Sequence, residues 1–357
     1  MKKYRVGIVG ATGMVGQRFV TLLENHPWFT VTCLAASERS AGKTYTQALD
    51  GRWNMATPIP EFLKDMVILN ANEIEKIKEE VDFVFCAVDM KKSEIRELEE
   101  NYAKAEIPVV SNNSACRGLS DVPMIIPEIN AEHIAVIETQ RKRLGTKKGF
   151  IAVKSNCSIQ SYVPALHPLK KFGLKNVLAC TYQAISGAGK TFDTWPEMVD
   201  NLIPYIGGEE EKSELEPLKV WGKIKNNEIV NATTPNITTQ CLRVPVSDGH
   251  TAAVFVSFEN KPTKEEIIDC WKNFSGIDLP SAPKQFIHYF EEDNRPQAKL
   301  DRNLENGMAV SVGRLREDSQ FDYKFVCLSH NTLRGAAGGA VLLAELLADC
   351  ECFAFTS

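Results

Sequence analysis

The feature that most constrains this chain is a glycine turn held between a strand and a helix near its start. Tyr4 to Val9 is a short apolar run that reads as a buried strand, and Gly10-Ala11-Thr12-Gly13-Met14-Val15-Gly16 follows it directly. An amphipathic pattern then runs to about Glu24, and a second apolar run spans Thr30 to Ala36. Two parallel strands joined by a helix cross over right-handedly, so the turn lies at the carboxyl end of the first strand. Backbone N–H groups and a helix N-terminus face outward there, an arrangement suited to a pyrophosphate. The spacing G-x-x-G-x-x-G is shifted from the commoner G-x-G-x-x-G, and a tight structural turn is the plain alternative. Val81 to Val88, a charged helix over Lys92 to Lys104 and the short run Pro108 to Ser111 extend the pattern into a doubly wound sheet. A Rossmann-type dinucleotide-binding domain is expected over residues 1–154.

At 357 residues the chain exceeds what one hydrophobic core usually supports, so a second domain is needed. Alternating segments at Asn176 to Ala184, Cys241 to Val246, Thr251 to Glu259, Ala309 to Leu315 and Tyr323 to Leu328 predict a large, mainly antiparallel sheet. Helices are expected at Tyr162 to Lys171, Thr191 to Ile203 and Thr263 to Phe274, the last opened by a capping box. The fold class is therefore α/β, with an α+β catalytic and dimerisation domain over 155–331. The closing segment 332–357, with a leucine-rich helix from Gly338 to Leu347, is expected to pack back on the first domain.

Charge and cysteine usage narrow the function. Forty-one basic against 46 acidic residues, a net charge of -5, leave no basic stripe for a nucleic-acid backbone. No apolar run reaches the length of a membrane span, and the first residues pass straight into a strand rather than a signal-peptide core, so a cytoplasmic protein is expected. The ten cysteines scatter through predicted strands and helices without metal-ligand or disulfide spacing, and no metal site is expected.

Two places carry chemistry. After the second strand, Ser37-Glu38-Arg39-Ser40 offers two hydroxyls and a guanidinium where NAD sites usually present a carboxylate. With Glu38 turned outward, Ser37, Arg39 and Ser40 suit a 2′-phosphate and favour NADP; a solvated mixed-charge loop is the alternative. Ser155-Asn156-Cys157-Ser158 lies between a strand and an apolar helix, where a helix N-terminus stabilises a thiolate. Cys157 is thus the candidate nucleophile, with Asn156 and Ser158 beside it. For its base, His250 at the end of Arg243-Val244-Pro245-Val246-Ser247-Asp248-Gly249-His250 is preferred, with Arg243 nearby and His330 as the weaker rival.

These residues together resemble the aspartate-semialdehyde dehydrogenase family, in the branch found in archaea, fungi and some bacteria. The resemblance spans the chain and rests on the glycine turn, Ser155 to Ser158, Tyr182-Gln183-Ala184-Ile185-Ser186-Gly187-Ala188-Gly189, Arg243 to His250, and Asn331-Thr332-Leu333-Arg334-Gly335-Ala336-Ala337-Gly338. It implies NADPH-dependent reductive dephosphorylation of L-aspartyl 4-phosphate to L-aspartate 4-semialdehyde through a thioester on Cys157, serving lysine, methionine and threonine biosynthesis. His250 would be the acid/base and Gln183 the orienting group. Arg243 and Glu209 would clamp the substrate, Asn156 would contact it, and Arg117 with Lys212 would hold phosphate. Glu209 is taken over Glu210 and Glu211 because Glu209-x-x-Lys212 fits the family spacing. Gly10, Thr12, Gly13, Met14, Val15, Gly187 and Asn331 would contact NADP, and a homodimer or homotetramer is implied.

Other readings remain at this level. N-acetyl-glutamyl-phosphate reductases separate the asparagine from the cysteine, whereas Asn156 here adjoins Cys157. Glyceraldehyde-3-phosphate dehydrogenases carry an acidic NAD selector. A short-chain acyl-CoA reductase of the same branch would keep the thiol, base and NADP loop. A non-catalytic NADP-binding redox regulator would keep only the glycine turn.

Overall fold

A computed structural model describes residues 3–354; the chain ends, including 355–357 of the expected closing segment, lie outside the described residues. The strands β1 (Tyr4–Val9), β2 (Phe29–Ala36), β3 (Leu69–Asn70), β4 (Phe83–Cys86), β5 (Val109–Ser111) and β6 (Ile151–Val153) form one parallel sheet in the order β3-β2-β1-β4-β5-β6. Their near-continuous burial explains the unbroken apolar runs, because a parallel sheet is covered on both faces. Helices α1 (Met14–Leu23) and α2 (Lys92–Lys104) are among the connections. Gly10 turns the chain at φ +92°, and a Cβ there would stand 2.3 Å from the Ala87 carbonyl oxygen. Only glycine fits that turn without pushing β1 away from the chain that follows β4.

The second sheet contains β7 (Leu174–Gln183), β8 (Asn236–Arg243), β9 (His250–Phe258), β10 (Ile287–Phe290), β11 (Val310–Glu317) and β12 (Tyr323–Ser329), ordered β8-β7-β9-β12-β11-β10. Its three central pairings are antiparallel and its two edge pairings parallel, so it is mixed, with antiparallel strands in the middle. One face is covered by α3 (Ile159–Leu166), whose residues are all buried, and by α5 (Lys264–Lys272); α4 (Glu209–Val220) lies beside β8. The closing helix α6 (Gly338–Asp349) is buried against the first sheet, its Val341, Leu343 and Leu347 sharing a core with Val6, Ile8, Phe19 and Phe85.

Two helical expectations are corrected. Residues 191–203 form turns and one 3₁₀ turn at Pro196–Met198 instead of a helix. Pro196 disfavours helical backbone at Trp195, Asp200 takes φ 56°, and Ile203 exchanges both backbone hydrogen bonds with Arg243 at 2.8 and 3.0 Å. Conversely, α4 is a three-turn helix where no helix was expected. Its inward positions are Glu209, Ser213, Glu216, Lys219 and Val220, so the helical period is present but is written mostly in polar residues.

Candidate active site

Strand alternation assembles the site. Along β7 the odd positions Val177, Ala179, Thr181 and Gln183 face inward, and parallel pairing sets Gln183 opposite Arg243 at the end of β8. On the other side β9 begins at His250, with Thr251 opposite Tyr182. One end of the sheet thus gathers Gln183, Arg243 and His250 on its buried face. The turn between β6 and α3 lays Cys157 over that end, with Cys157 Sγ 3.4 Å from His250 Nε2. His330, the rival base, instead accepts a hydrogen bond from the Thr332 backbone and is 4% exposed.

Helix α4 closes the site from the side. Asn156 Nδ2 donates to Glu209 at 3.0 and 3.1 Å, Gln183 Nε2 reaches the same carboxylate at 3.4 Å, and Lys212 Nζ pairs with it at 2.8 Å. Burial pushes the Glu209 carboxyl up, but the Lys212 charge and the two amide donors outweigh it and hold the group below its ordinary value. The run of three glutamates is separated by geometry: Glu210 accepts from Cys241 N of β8, and Glu211 faces a cavity outside. One further turn along, Glu216 binds Arg117 at 2.9 Å with one oxygen and the Asn156 backbone N–H with the other. Lys219 then donates to the carbonyls of Arg117, Leu119 and Val122. Glu216 and Lys219 were missed in the sequence; the signal was the i, i+4, i+7, i+10 spacing of Glu209, Ser213, Glu216 and Lys219.

Electrostatics at the sulfur are opposed. Burial pushes the Cys157 thiol up and Glu209 adds to this, while Lys154, Arg117 and Arg243 pull it down. The net direction is upward, so the helix N-terminus alone does not make the resting thiolate that the sequence implies. His250 is driven well below its ordinary value by burial first and then by the charges of Arg243, His330 and Lys154. Its Nδ1 accepts the Ala184 N–H at 3.1 Å, so the neutral ring carries its hydrogen on Nε2, toward the sulfur. Arg243 Nη1 donates to the Ala184 carbonyl at 2.7 Å, and a Cβ on Gly187 would stand 2.9 Å from that nitrogen.

Three cavities hold the other expected binding residues. One of about 580 Å³ is lined by Arg117, Lys212, Ser114, Lys92 and Glu216 and brings the two expected phosphate ligands together. A second, of about 340 Å³, is lined by Gly10, Thr12, Gly13, Ser37 and Glu38 at the carboxyl ends of β1 and β2. Glu38 therefore faces this cavity rather than turning away from it. The third, about 710 Å³ and polar, is lined by Arg39, Ser40, Lys43, Gln47 and Arg52. The turn closed by Ser40 N to Ser37 O divides the four residues between the two cavities. Met14 and Val15 begin α1 and line neither. Tyr45 Oη and Gln17 Nε2 fix the glycine turn by donating to the Ala11 and Thr12 carbonyls. Asn331, just past β12, ties two loops of the second sheet together, accepting from Gly249 N at 2.8 Å and donating to Ser186 Oγ at 2.8 Å. Among the described residues, no group of three His, Cys, Asp or Glu side chains is placed to hold a metal ion.

Residues 5–137 match the family model for the semialdehyde dehydrogenase NAD binding domain, and residues 166–334 match that for the semialdehyde dehydrogenase dimerisation domain. The chain is 43% identical over 348 residues to the aspartate-semialdehyde dehydrogenase of Archaeoglobus fulgidus, covering 97% of this chain and 98% of that one. The chain belongs to the aspartate-semialdehyde dehydrogenase family. The family enzyme of Saccharomyces cerevisiae is 41% identical, with 96% of each chain covered. A crystal structure of aspartate semialdehyde dehydrogenase with NADP from Candida albicans superposes with a TM-score of 0.88 at 38% identity, covering 98% of this chain and all of that one. Archaeal and fungal relatives both stand among these, as the resemblance in the sequence implied, and the α/β architecture with a Rossmann-type domain and a second mixed-sheet domain is that of the family.

Proposed function

We propose that the chain catalyses the reversible, NADPH-dependent reduction of L-aspartyl 4-phosphate to L-aspartate 4-semialdehyde, with Cys157 carrying the acyl group. The observation that supports this most directly is the 3.4 Å approach of Cys157 Sγ to His250 Nε2 beside an arginine and a carboxylate of opposite sign. The substrate is a small zwitterion: the Arg243 fork suits its carboxylate, and Glu209 suits its ammonium. Addition of the thiol sulfur to the aldehyde makes a tetrahedral centre whose oxygen is met by the His250 Nε2 hydrogen and, on the other side, by the amides of Gln183 and Asn156. Arg117 and Lys212 neutralise the phosphate that cleaves the thioester.

The cofactor site fits NADP. In the turn the N–H groups of Gly10, Ala11 and Gly13 are taken by the Ala35 and Gly10 carbonyls, leaving Thr12 and the N-terminus of α1 to face a pyrophosphate, and a polar cavity sets the charges of Arg39 and Lys43 around Ser40, chemistry suited to a 2′-phosphate. When bound, the nicotinamide would supply or accept the hydride, and Asn331 and Gly187 would be among the residues that hold it.

The matched dimerisation domain carries oligomerisation, and a homodimer is the assembly we propose. Among the described residues no helix is long and apolar enough to cross a membrane. The test is NADPH formation from aspartate semialdehyde. Absolute dependence on phosphate or arsenate is expected; oxidation that runs instead on coenzyme A and ignores phosphate would give the acyl-CoA reductase reading its support.

A further inference from the structure

The run Asn331 to Gly338 is one of the motifs that set this chain in its family, yet the reaction as proposed draws only on Asn331. Three residues on, Arg334 is buried with its partner: the two side chains, Arg334 and Glu128, are 1% and 0% exposed. Nη1 and Nη2 donate to the two Glu128 oxygens at 2.6 and 2.5 Å, Nε donates to Gln160 Oε1 at 3.1 Å, and Cζ stands over the Phe286 ring, 4.4 Å from its centre. Glu128 lies in the part of the chain matched to the NAD binding domain, Gln160 lies in α3, and Phe286 directly precedes β10. One side chain therefore ties the first domain to the second.

The tie continues to the nucleophile. Gln160 Nε2 donates to Ser155 Oγ at 2.7 Å, two residues before Cys157. Gly335, next to Arg334, lies directly against the same turn: a Cβ there would stand 2.9 Å from Cys157 Cβ and 3.4 Å from Cys157 Cα. The backbone that carries Arg334 is a wide turn closed by two bonds that each span five residues, Gly335 N to His330 O at 2.8 Å and Ala337 N to Thr332 O at 3.1 Å, a form common at functional sites. At its start Asn331 is held by Gly249 N and Ser186 Oγ. A single turn thus joins the side chain expected at the nicotinamide to the backbone that touches the nucleophile. A buried ion pair adds little to fold stability, because desolvating both charges offsets their attraction. What a forked pair supplies is fixed geometry.

We infer that Arg334 is a positioning residue for hydride transfer. By fastening the wide turn to Glu128 and, through Gln160, to the turn of Cys157, it sets the separation between the nicotinamide and the carbon carried on the sulfur. Reacting atoms must approach to about 3 to 3.5 Å, and an error of about 1 Å is worth about a hundredfold in rate. The cofactor's phosphates are held by the first domain and the thiol adds within the second, so both functions persist when the tie is cut. Hydride transfer is the step that slows.

The inference rests on the proposed function, with Cys157 as nucleophile and Asn331 at the nicotinamide. Its test on the full-length protein is the single-turnover burst from aspartate semialdehyde to NADP without phosphate, beside NADP affinity by titration calorimetry and alkylation of Cys157 by iodoacetamide with and without NADP. Arg334→Lys keeps the charge and loses the fork. It is expected to slow the burst about tenfold or more and to enlarge the isotope effect with substrate deuterated at the aldehyde carbon. It should also weaken the shielding of Cys157 by saturating NADP, while NADP affinity and unshielded alkylation stay near wild type. Gln160→Met leaves the buried pair intact, so it serves even if Arg334→Lys does not fold, and it is expected to act in the same way. The double variant should be no slower than the slower single variant, since both cut one chain of bonds. Glu345→Gln, which cuts a different buried tie of α6 to Ser281 and His26, is expected to lower the melting temperature and leave the burst unchanged. A normal burst with normal shielding in Gln160→Met, losses that add in the double variant, or a fall in NADP affinity as large as the fall in burst overturns the inference. Near-normal activity of Cys157→Ser would instead remove the proposed function on which it rests.

Discussion

A buried lysine is a cost to stability, and at Lys154 the cost has a pH signature. Its folded value, about 7, lies below the ordinary 10.5, so between those limits the unfolded chain binds more protons than the folded one. Stability attributable to this residue therefore rises as pH climbs from about 7 toward 10.5, and below 7 the full penalty stands. Lys154→Met is expected to be more stable than the wild type at pH 6, by roughly 5 kcal/mol at most, with the difference shrinking by pH 10. Urea denaturation at the two pH values checks this, and equal differences at both would show that the penalty is not protonic. At the cofactor, Arg39 lines a polar cavity with Ser40 and Lys43. Arg39→Ala should weaken NADP by roughly 1.5 to 3 kcal/mol and NAD hardly at all, since only NADP brings the 2′-phosphate. Titration calorimetry giving equal losses for both cofactors would refute the role.

At the scale of one element, α4 couples groups that the sequence presents as independent. From the sequence alone, Arg117 and Arg243 fail separately, one in phosphate binding and the other in substrate orientation. The structure places Glu216 between Arg117 and the Asn156 backbone N–H, so the proposed phosphate ligand is tied to the turn that carries Cys157. Arg117→Ala leaves that carboxylate buried without its cation. It is therefore expected to raise the KM for phosphate and also to slow the single-turnover burst of hydride transfer measured without phosphate. Arg243→Lys keeps the charge but loses the fork, so it should raise the KM for aspartate semialdehyde and leave phosphate affinity nearly intact. A normal burst in Arg117→Ala would show that Asn156 is held without Glu216's pairing. The helix was hard to read because Glu209, Ser213, Glu216 and Lys219 give its inward face no hydrophobic period, and Pro217 interrupts its propensity.

For the whole molecule, the second sheet buries one face and leaves the other half open. Leu178 and Cys180 of β7, Leu242 of β8, Phe255 of β9 and Val326 of β12 face outward and are only partly covered, with Tyr182 exposed beside them. Val199, in the segment expected as a helix, and Tyr205 just beyond it are 61% and 64% exposed. Such a surface on a chain matched to a dimerisation domain is expected to be covered by a second copy. Light scattering should give about twice the 39.7 kDa of one chain, and Phe255→Asp should shift it toward the monomer. A stable wild-type monomer at low micromolar concentration would contradict the assembly.

What the sequence determined by itself was carried by local period and local geometry, outside residues 191–203 and α4. The glycine turn at Gly10, the parallel strands of the first sheet and the alternating strands of the second were legible because each is dictated by neighbours within a few residues. Cys157 was legible because it stands at a strand-to-helix junction. Tertiary structure alone decided which side chains meet across long separations: Asn156 on Glu209, Glu216 bridging to Arg117, Glu38 facing the cofactor cavity, and Ala184 fixing the ring of His250. Those contacts join residues tens of positions apart, and their energies depend on burial and on the arrangement of neighbouring charges. Neither quantity is set until the two sheets and α4 have closed around the sulfur.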